Sequence, residues 1–311
     1  MLGGMQLFGK FVLLVVVLLV LVGTYQVKKQ LPAGLRVAGE IRQVPREAVT
    51  FLADRTYVDE SGQRQVEQEI FSEMLALIEG AQDYVLLDMF LFNDWQGKAP
   101  EETRALTREL TAALLAKRQA SPAATMVLIT DPINEAYGGA VAEHLEALKE
   151  AGVEVVVTDL TPLRASNPIY TSWWQLFLAW AGNNDGGGSA PHPFAHEGER
   201  VTWRSWWRLF NFKANHRKVL VVDQLIGGDR QVVTLVTSAN PHDGSSAHGN
   251  VAIKVVGGMW RDVVASEQVV AAWSGARVPA VEGVIAERQG GEVAVQLLTE
   301  GAIRDRLLEL I

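Results

Sequence analysis

The chain has 311 residues, enough to bury a substantial core and to hold more than one folding unit. Its hydrophobic content of 48% and charged content of 21% are those of an ordinary globular protein. It has no cysteine, which excludes disulfides, thiol nucleophiles and Cys-zinc sites. Its formal charge of −8 argues against a general nucleic-acid binder, which needs a basic footprint.

The first predicted element is a membrane helix. Phe11 to Val22 is an unbroken apolar block, with Lys10 before it and Lys28-Lys29 after it. The stretch between those lysines spans about 25 Å as a helix, short for a bilayer core but sufficient with snorkelling ends. A cleaved signal peptide fits less well. Lys10 is the only charge ahead of the block, and no small-x-small site follows Gly23-Thr24-Tyr25. Residues 1–27 are therefore read as an uncleaved single-pass anchor. Lys28, Lys29, Arg36 and Arg42 against Glu40 tilt the globular body to the cytoplasmic side.

Residues 28–45, with Pro32, Gly34, Gly39 and Pro45, read as a linker. Strand and helix signals then alternate through residues 46–280. Helices are predicted at Val66–Ile78, Glu101–Arg118, Ala140–Ala151 and Met259–Trp273. Strands are predicted at Tyr84–Phe92, Met126–Thr130, Val153–Thr158, Val219–Val222, Val232–Val236 and Val251–Val256. Such alternation implies an α/β fold, a layered sandwich with a central mixed sheet flanked by helices. Val293–Leu298 then reads as a strand and Glu300–Ile311 as an amphipathic helix. The apolar positions of that helix repeat those of Glu69–Ile78 at a constant offset. Residues 281–311 are expected to begin a second lobe.

The chemistry concentrates in Asn215-His216-Arg217-Lys218, which leads into Val219–Val222 and Asp223. His216 and Lys218 are two apart, so an extended chain points both to one side. Asp223 lies on the other side by parity. A His-x-Lys pair alone is usually a solvated strand end. A proton carrier beside a fixed cation is nonetheless the equipment for handling a phosphate ester. A neighbouring strand ending in Thr237-Ser238-Ala239-Asn240 can bring Ser238 and Asn240 beside that pair.

With these residues the chain resembles the phospholipase D superfamily, whose His-x-Lys-x4-Asp motif is followed by a Gly/Ser-x-Asn segment. His216, Lys218, Asp223, Ser238 and Asn240 match it position for position over a likeness covering residues 45–275. Thr237 stands where the family has Gly, and the gap from Gln224 to Arg230 is longer than usual. The Asn-His-Arg-Lys form is most similar to the bacterial cardiolipin synthase branch.

The resemblance implies a phosphodiesterase or phosphatidyltransferase acting on phospholipids through a phosphohistidine. His216 is then the nucleophile or its acid/base partner, and Lys218, Ser238 and Asn240 bind phosphate. Asp223 orients a histidine, serves a partner motif or only supports structure. No cofactor or metal is implied. Asp83/Asp88 and Asp54/Asp59/Glu60 lack ligand spacing and are read as turns and solvated faces. The resemblance also implies a second motif, in a further lobe or in a second copy of the chain. Alternatives are a nuclease of the same superfamily and a catalytically silent membrane-binding module.

The remaining histidines are weaker candidates. His144 reads as an exposed helix residue, and His192 and His196 fall in the Gly/Pro-rich loop Gly186–Gly198. His242, His248 and Asn250 follow the motif and are candidates for the pocket mouth. Trp173, Trp174, Phe177 and Trp180 recur at helical spacing. So do Trp203, Trp206, Trp207 and Phe210, interleaved with Arg204, Arg208 and Lys213. Trp203, Arg204, Trp206, Trp207 and Arg208 are candidates for a membrane interface, where amphipathic rings meet headgroups. Core packing and base stacking use the same residue types.

Overall fold

A computed structural model gives the fold and describes residues 2–97, 103–182, 187–195, 198–283, 285–286 and 290–311. In chain order the elements are α1 (Leu2–Lys28), β1 (Arg42–Val44), β2 (Val49–Val58), β3 (Arg64–Glu67), α2 (Glu69–Gly80), β4 (Tyr84–Met89) and α3 (Leu106–Ala120). Next come β5 (Thr125–Thr130), α4 (Glu143–Glu150), β6 (Glu154–Val157), α5 (Pro168–Phe177), β7 (Ala190–Pro191), β8 (Arg200–Val201) and α6 (Trp203–Arg208). The chain then forms β9 (Lys218–Ile226), β10 (Asp229–Thr237), β11 (Asn250–Val256), α7 (Trp260–Trp273), β12 (Val293–Val295) and α8 (Gly301–Leu310).

Eight strands make one sheet in the order β3-β2-β11-β10-β9-β4-β5-β6. The pairs β4–β5 and β5–β6 are parallel, joined through α3 and α4, and the other pairs are antiparallel. The sheet is mixed and flanked by helices, as the alternation of signals requires. All six residues of β4 are buried, which is why it reads as a continuous apolar run.

The strand period of two sorts these residues between two cores. Val85, Leu87, Met89, Leu220 and Val222 pack with α2, α3 and α4. Tyr84, Leu86, Val219 and Val221 pack with Val263, Val264 and Val270 of α7. Asp88 and Arg217 have the second parity, which turns both toward α7. β9 and β10 join through Gly227-Gly228, at φ 64° and 92°, in the left-handed conformation that a two-residue hairpin turn requires.

Strands β2 and β3 lie outside the predicted set, because their outer residues are exposed and β3 is polar apart from Val66, where the predicted helix begins. The predicted helix from Glu101 begins at Leu106, and residues 98–102 lie outside the described residues. Segment 28–45 is packed against the body: Leu35 and Val44 are buried, and β1 pairs with β12. The last turn of α1 runs beside α5. There Ala165 N donates to Gln26 O at 3.0 Å, and a Cβ on Gly23 would meet Pro168 O at 3.4 Å. α1 is long and apolar enough to cross a membrane, and its most apolar window is unburied. On α5 and just after it, Ile169, Trp173, Phe177 and Trp180 are exposed.

Candidate active site

His216 precedes β9 and Lys218 opens it. Lys218 Nζ lies 3.3 Å from His216 Nδ1 and donates to His216 O at 3.1 Å. The imidazole packs on Phe90, with ring centroids 4.5 Å apart, and the Lys218 ammonium lies 5.1 Å from the same ring. Register explains the convergence. Met89 pairs with Lys218, so Phe90 projects past the sheet edge beside His216, and Phe90 N donates to Arg217 O at 3.1 Å.

Burial, and after it the Lys218 charge, hold the His216 imidazole below its ordinary value. The ring is therefore neutral at pH 7, with a lone pair on one nitrogen. Burial lowers Lys218 to about 8, against the opposing pull of Asp88. Among the described residues no carboxylate lies within 4 Å of Lys218. The pair borders a cavity of about 490 Å³, lined on its apolar side by Leu35, Leu163, Trp273, Leu297 and Ile303.

Beneath the pair lies a buried polar network that the sequence reading missed. Asn215 Nδ2 donates to both carboxyl oxygens of Asp88, at 3.0 and 2.9 Å, and Asn215 N donates to Asp131 Oδ2 at 2.7 Å. Arg217 pairs with Glu267 of α7 at 2.7 Å and donates to Ser266 Oγ at 2.7 Å. Asp88 is fully buried, which corrects its reading as a turn or solvated face. Burial, and after it the adjoining Glu267 carboxylate, hold it well above its usual range. Glu267 Oε2 is buried with no hydrogen-bond partner among the described residues. With Arg217 neutralised by Glu267, Lys218 is the open cation of the cavity.

Asp131 is also buried and raised to about 7, while the Ile133 and Asn215 amides pull against that shift. Asn134 fixes the segment over His216. Its Nδ2 donates to Phe90 O at 2.9 Å, and its Oδ1 accepts from Phe92 N at 2.8 Å. The signal for this corner was present in Asp131-Pro132, an N-cap followed by proline, with Asp131 Oδ1 accepting from Ile133 N at 2.8 Å.

The other motif residues divide. Asn240 Oδ1 accepts from Leu91 N at 3.2 Å, which places it beside Phe90 and hence near His216. Ser238 is exposed and tied sideways to β11, its hydroxyl bonded to Asn250 Oδ1 at 3.1 Å and Val251 N at 3.0 Å. It lies outside the lining of the cavity, where Thr237 takes part. Asp223 is not brought to His216. It sits five residues along β9 with its carboxylate at zero exposure, accepting from Asp83 N and Tyr84 N and pairing with Arg230 at 2.6 Å. It clips strand ends together on the face opposite His216 and Lys218.

Of the remaining histidines, His144 is half-buried rather than exposed, its Nε2 2.7 Å from Phe92 O. His192 is buried, and its Nδ1 accepts from Phe194 N and Ala195 N, at 3.1 and 2.9 Å. His242 lines a separate apolar cavity of about 360 Å³ with Trp95 and Phe194, and both its nitrogens are engaged, by Ser245 Oγ and Trp95 O. His248 is exposed, Asn250 is half-buried, and His196 lies outside the described residues. Among the described residues no second histidine borders the cavity of His216.

In the aromatic segment, Trp203 and Trp207 are exposed, while Trp206 packs on Phe210 at 4.9 Å. Arg204 donates to Leu178 O and Ala179 O past the end of α5, at 3.0 and 2.7 Å, so part of its charge is used internally. Arg208 is half-buried, 5.8 Å from the Tyr137 ring.

The chain matches no protein-family model and no curated protein. Among solved structures it is similar to polyphosphate kinase from Porphyromonas gingivalis, with TM-score 0.34 and 9% identity over 76% of this chain and 28% of that one. It is similar to NucT from Helicobacter pylori, with TM-score 0.34 and 11% identity over 71% of this chain and 94% of that one. It is also similar to phosphatidylserine synthase of Haemophilus influenzae Rd KW20, with TM-score 0.32 and 14% identity over 71% of this chain and 36% of that one. The chain thus spans about a quarter of the kinase and a third of the synthase. Likeness at these scores assigns no activity.

Proposed function

We propose that the chain is a phospholipase D-like enzyme, anchored in a membrane by α1, that cleaves or exchanges a phosphodiester on a phospholipid through a phosphohistidine at His216. The observation that carries this reading is the neutral His216 beside the open cation Lys218, at the polar end of a cavity with an apolar wall. An anionic phosphate entering that cavity meets one unpaired ammonium and one imidazole with an available lone pair.

In the proposed step His216 attacks phosphorus, the P–O bond to the leaving alcohol breaks, and the alcohol takes a proton from a second acid. Water or an acceptor alcohol then displaces the histidine, giving hydrolysis or exchange. Lys218 holds a non-bridging oxygen and balances the charge that gathers there. Its bond to Nδ1 must be released for this, since that nitrogen needs a proton before Nε2 can attack. The His216 carbonyl, already an acceptor for Nζ, gives the lysine an alternative partner. The second acid is assigned to a further lobe or to a second copy of the chain, since the described residues offer no histidine in this cavity.

The test is turnover by the full-length protein in vesicles of an anionic phospholipid, with single-stranded DNA assayed in parallel. His216→Ala is expected to lower phospholipid turnover by at least 10³-fold, and the enzyme to work in EDTA. Unchanged turnover in His216→Ala removes the reading. Turnover of DNA alone favours a nuclease, and vesicle binding with no turnover of either favours a silent binding module.

A further inference from the structure

A second cluster of cations lies where the chain leaves α1. Lys29 directly follows that helix, donates to Thr161 O at 2.5 Å, and has its own carbonyl held by Arg164 Nε at 3.0 Å. Its charge acts on the Lys213 amine. Lys213 is only 9% exposed. It lines a small cavity of about 50 Å³ with Arg208, Tyr137, Leu160, Thr161 and Trp174. This lining has no residue in common with that of the His216 cavity.

The charges there do not balance. Asp159 is the one carboxylate that acts on Lys29, Lys213 and Arg208 together, and Asp131 acts on Arg208 alone. Among the described residues neither Arg208 nor Lys213 has a carboxylate within 4 Å. Buried cations without partners are costly, and such clusters persist where an anion completes them. Burial and the neighbouring Lys29 charge bring Lys213 down to about 8, the direction expected of cations crowded together without an anion.

We propose that this cavity is a second anion site, distinct from the His216 centre, that takes the phosphate group of an anionic lipid at the membrane surface. A planar guanidinium and an ammonium on one cavity suit phosphate oxygens. A volume of this size suits a group of about five heavy atoms, so the rest of the ligand stays outside. What lies outside is the end of α1, with exposed Trp173 and Phe177 of α5 beside it. Assignment to a lipid rests on α1 spanning a membrane, whereas assignment to a phosphate does not. The site would hold the catalytic body at a fixed height over the bilayer.

The experiment uses the full chain in neutral detergent, in a Lys218→Gln background so that the His216 centre contributes no phosphate binding. Inorganic phosphate is titrated by calorimetry. Retained lipid is weighed by native mass spectrometry after exchange into equal phosphatidylglycerol and phosphatidylcholine. The expected result is saturable phosphate binding and at least a tenfold preference for phosphatidylglycerol, both lost when Lys213→Gln and Arg208→Gln are added. Asp159→Asn, which keeps both cations and removes their counter-charge, is expected to tighten phosphate binding several-fold. No phosphate binding in the Lys218→Gln protein, or no tightening in Asp159→Asn, overturns the site. Phosphate binding with no lipid preference overturns the lipid assignment. Turnover is not read in any arm, so the outcome is separate from the chemistry proposed at His216.

Discussion

Lys218 loses its charge close to neutrality, because burial brings it to about 8 from the ordinary lysine value of 10.5. A lowered lysine pKa means that the cation is present below about 8 and absent above it. The His216 value is also lowered, so protonation removes its lone pair only below the ordinary imidazole range near 6.5. For a phosphohistidine reaction kcat/KM is therefore expected to fall on the alkaline side with a midpoint near 8, and on the acid side below 6.5. Lys218→Arg keeps the cation charged and is expected to move the alkaline fall from the Lys218 value to that set by the second acid, while leaving the acid limb in place. A pH profile between 5 and 10 checks both limbs, and an unmoved alkaline limb sinks the role of Lys218. The pairing behind this prediction was legible in the sequence, since two residues on one strand face need only a spacing of two. The network beneath it was not. Asp88, Asp131 and Glu267 are separated by long stretches of chain, and only the packing of α7 on the sheet brings Glu267 to Asp88 and Arg217. A carboxylate inside the apolar run Tyr84–Met89 was the available hint, because a strand buried on both faces cannot leave Asp88 solvated.

At the scale of elements, the hairpin β9–β10 sets the site, and Asp223 shows how. Its carboxylate satisfies backbone amides at the entry to β4 and pairs with Arg230 of β10, so it joins three neighbouring strands at the end remote from His216. Asp223→Ala would leave those amides and Arg230 unpartnered, at a cost of about 3 kcal/mol once the partial exposure of Arg230 is allowed for. Urea unfolding is expected to show that loss, with the pH limbs of the remaining activity unmoved. A displaced limb with unchanged stability would instead make Asp223 part of the chemistry. The extra residues between Asp223 and Asp229 have a plain account, since they carry both strands beyond the sheet core before the Gly227-Gly228 turn. Most of the sheet was legible because buried strands are written as apolar runs. β2 and β3 were hidden because strands with a wet face carry mixed sequence, and β3 is in addition a short edge strand. Segment 28–45 shows the opposite failure. Its prolines and glycines read as linker, yet Leu35 and Val44 within it are fully buried.

For the whole molecule the proposed reaction requires a second proton donor, and its two candidate sources differ in a measurable way. His144, His192 and His242 are each tied by hydrogen bonds elsewhere, and His248 is exposed and bound to no part of the cavity. If a second copy supplies the donor, each working site needs His216 from two chains, and a mixed pair with one His216→Ala chain has lost either its nucleophile or its acid. Wild-type and His216→Ala chains reconstituted together would then keep activity in proportion to the square of the wild-type fraction, so an equal mixture retains about one quarter. If a further lobe of the same polypeptide supplies the donor, each chain works alone and an equal mixture retains about one half. The chains must be mixed before insertion into vesicles, because a membrane span slows later exchange. Specific activity against wild-type fraction distinguishes a parabola from a line at constant total protein. A parabola assigns the second acid to a partner copy, while a line requires a histidine from elsewhere in the same polypeptide to face the apolar-walled cavity beside Lys218.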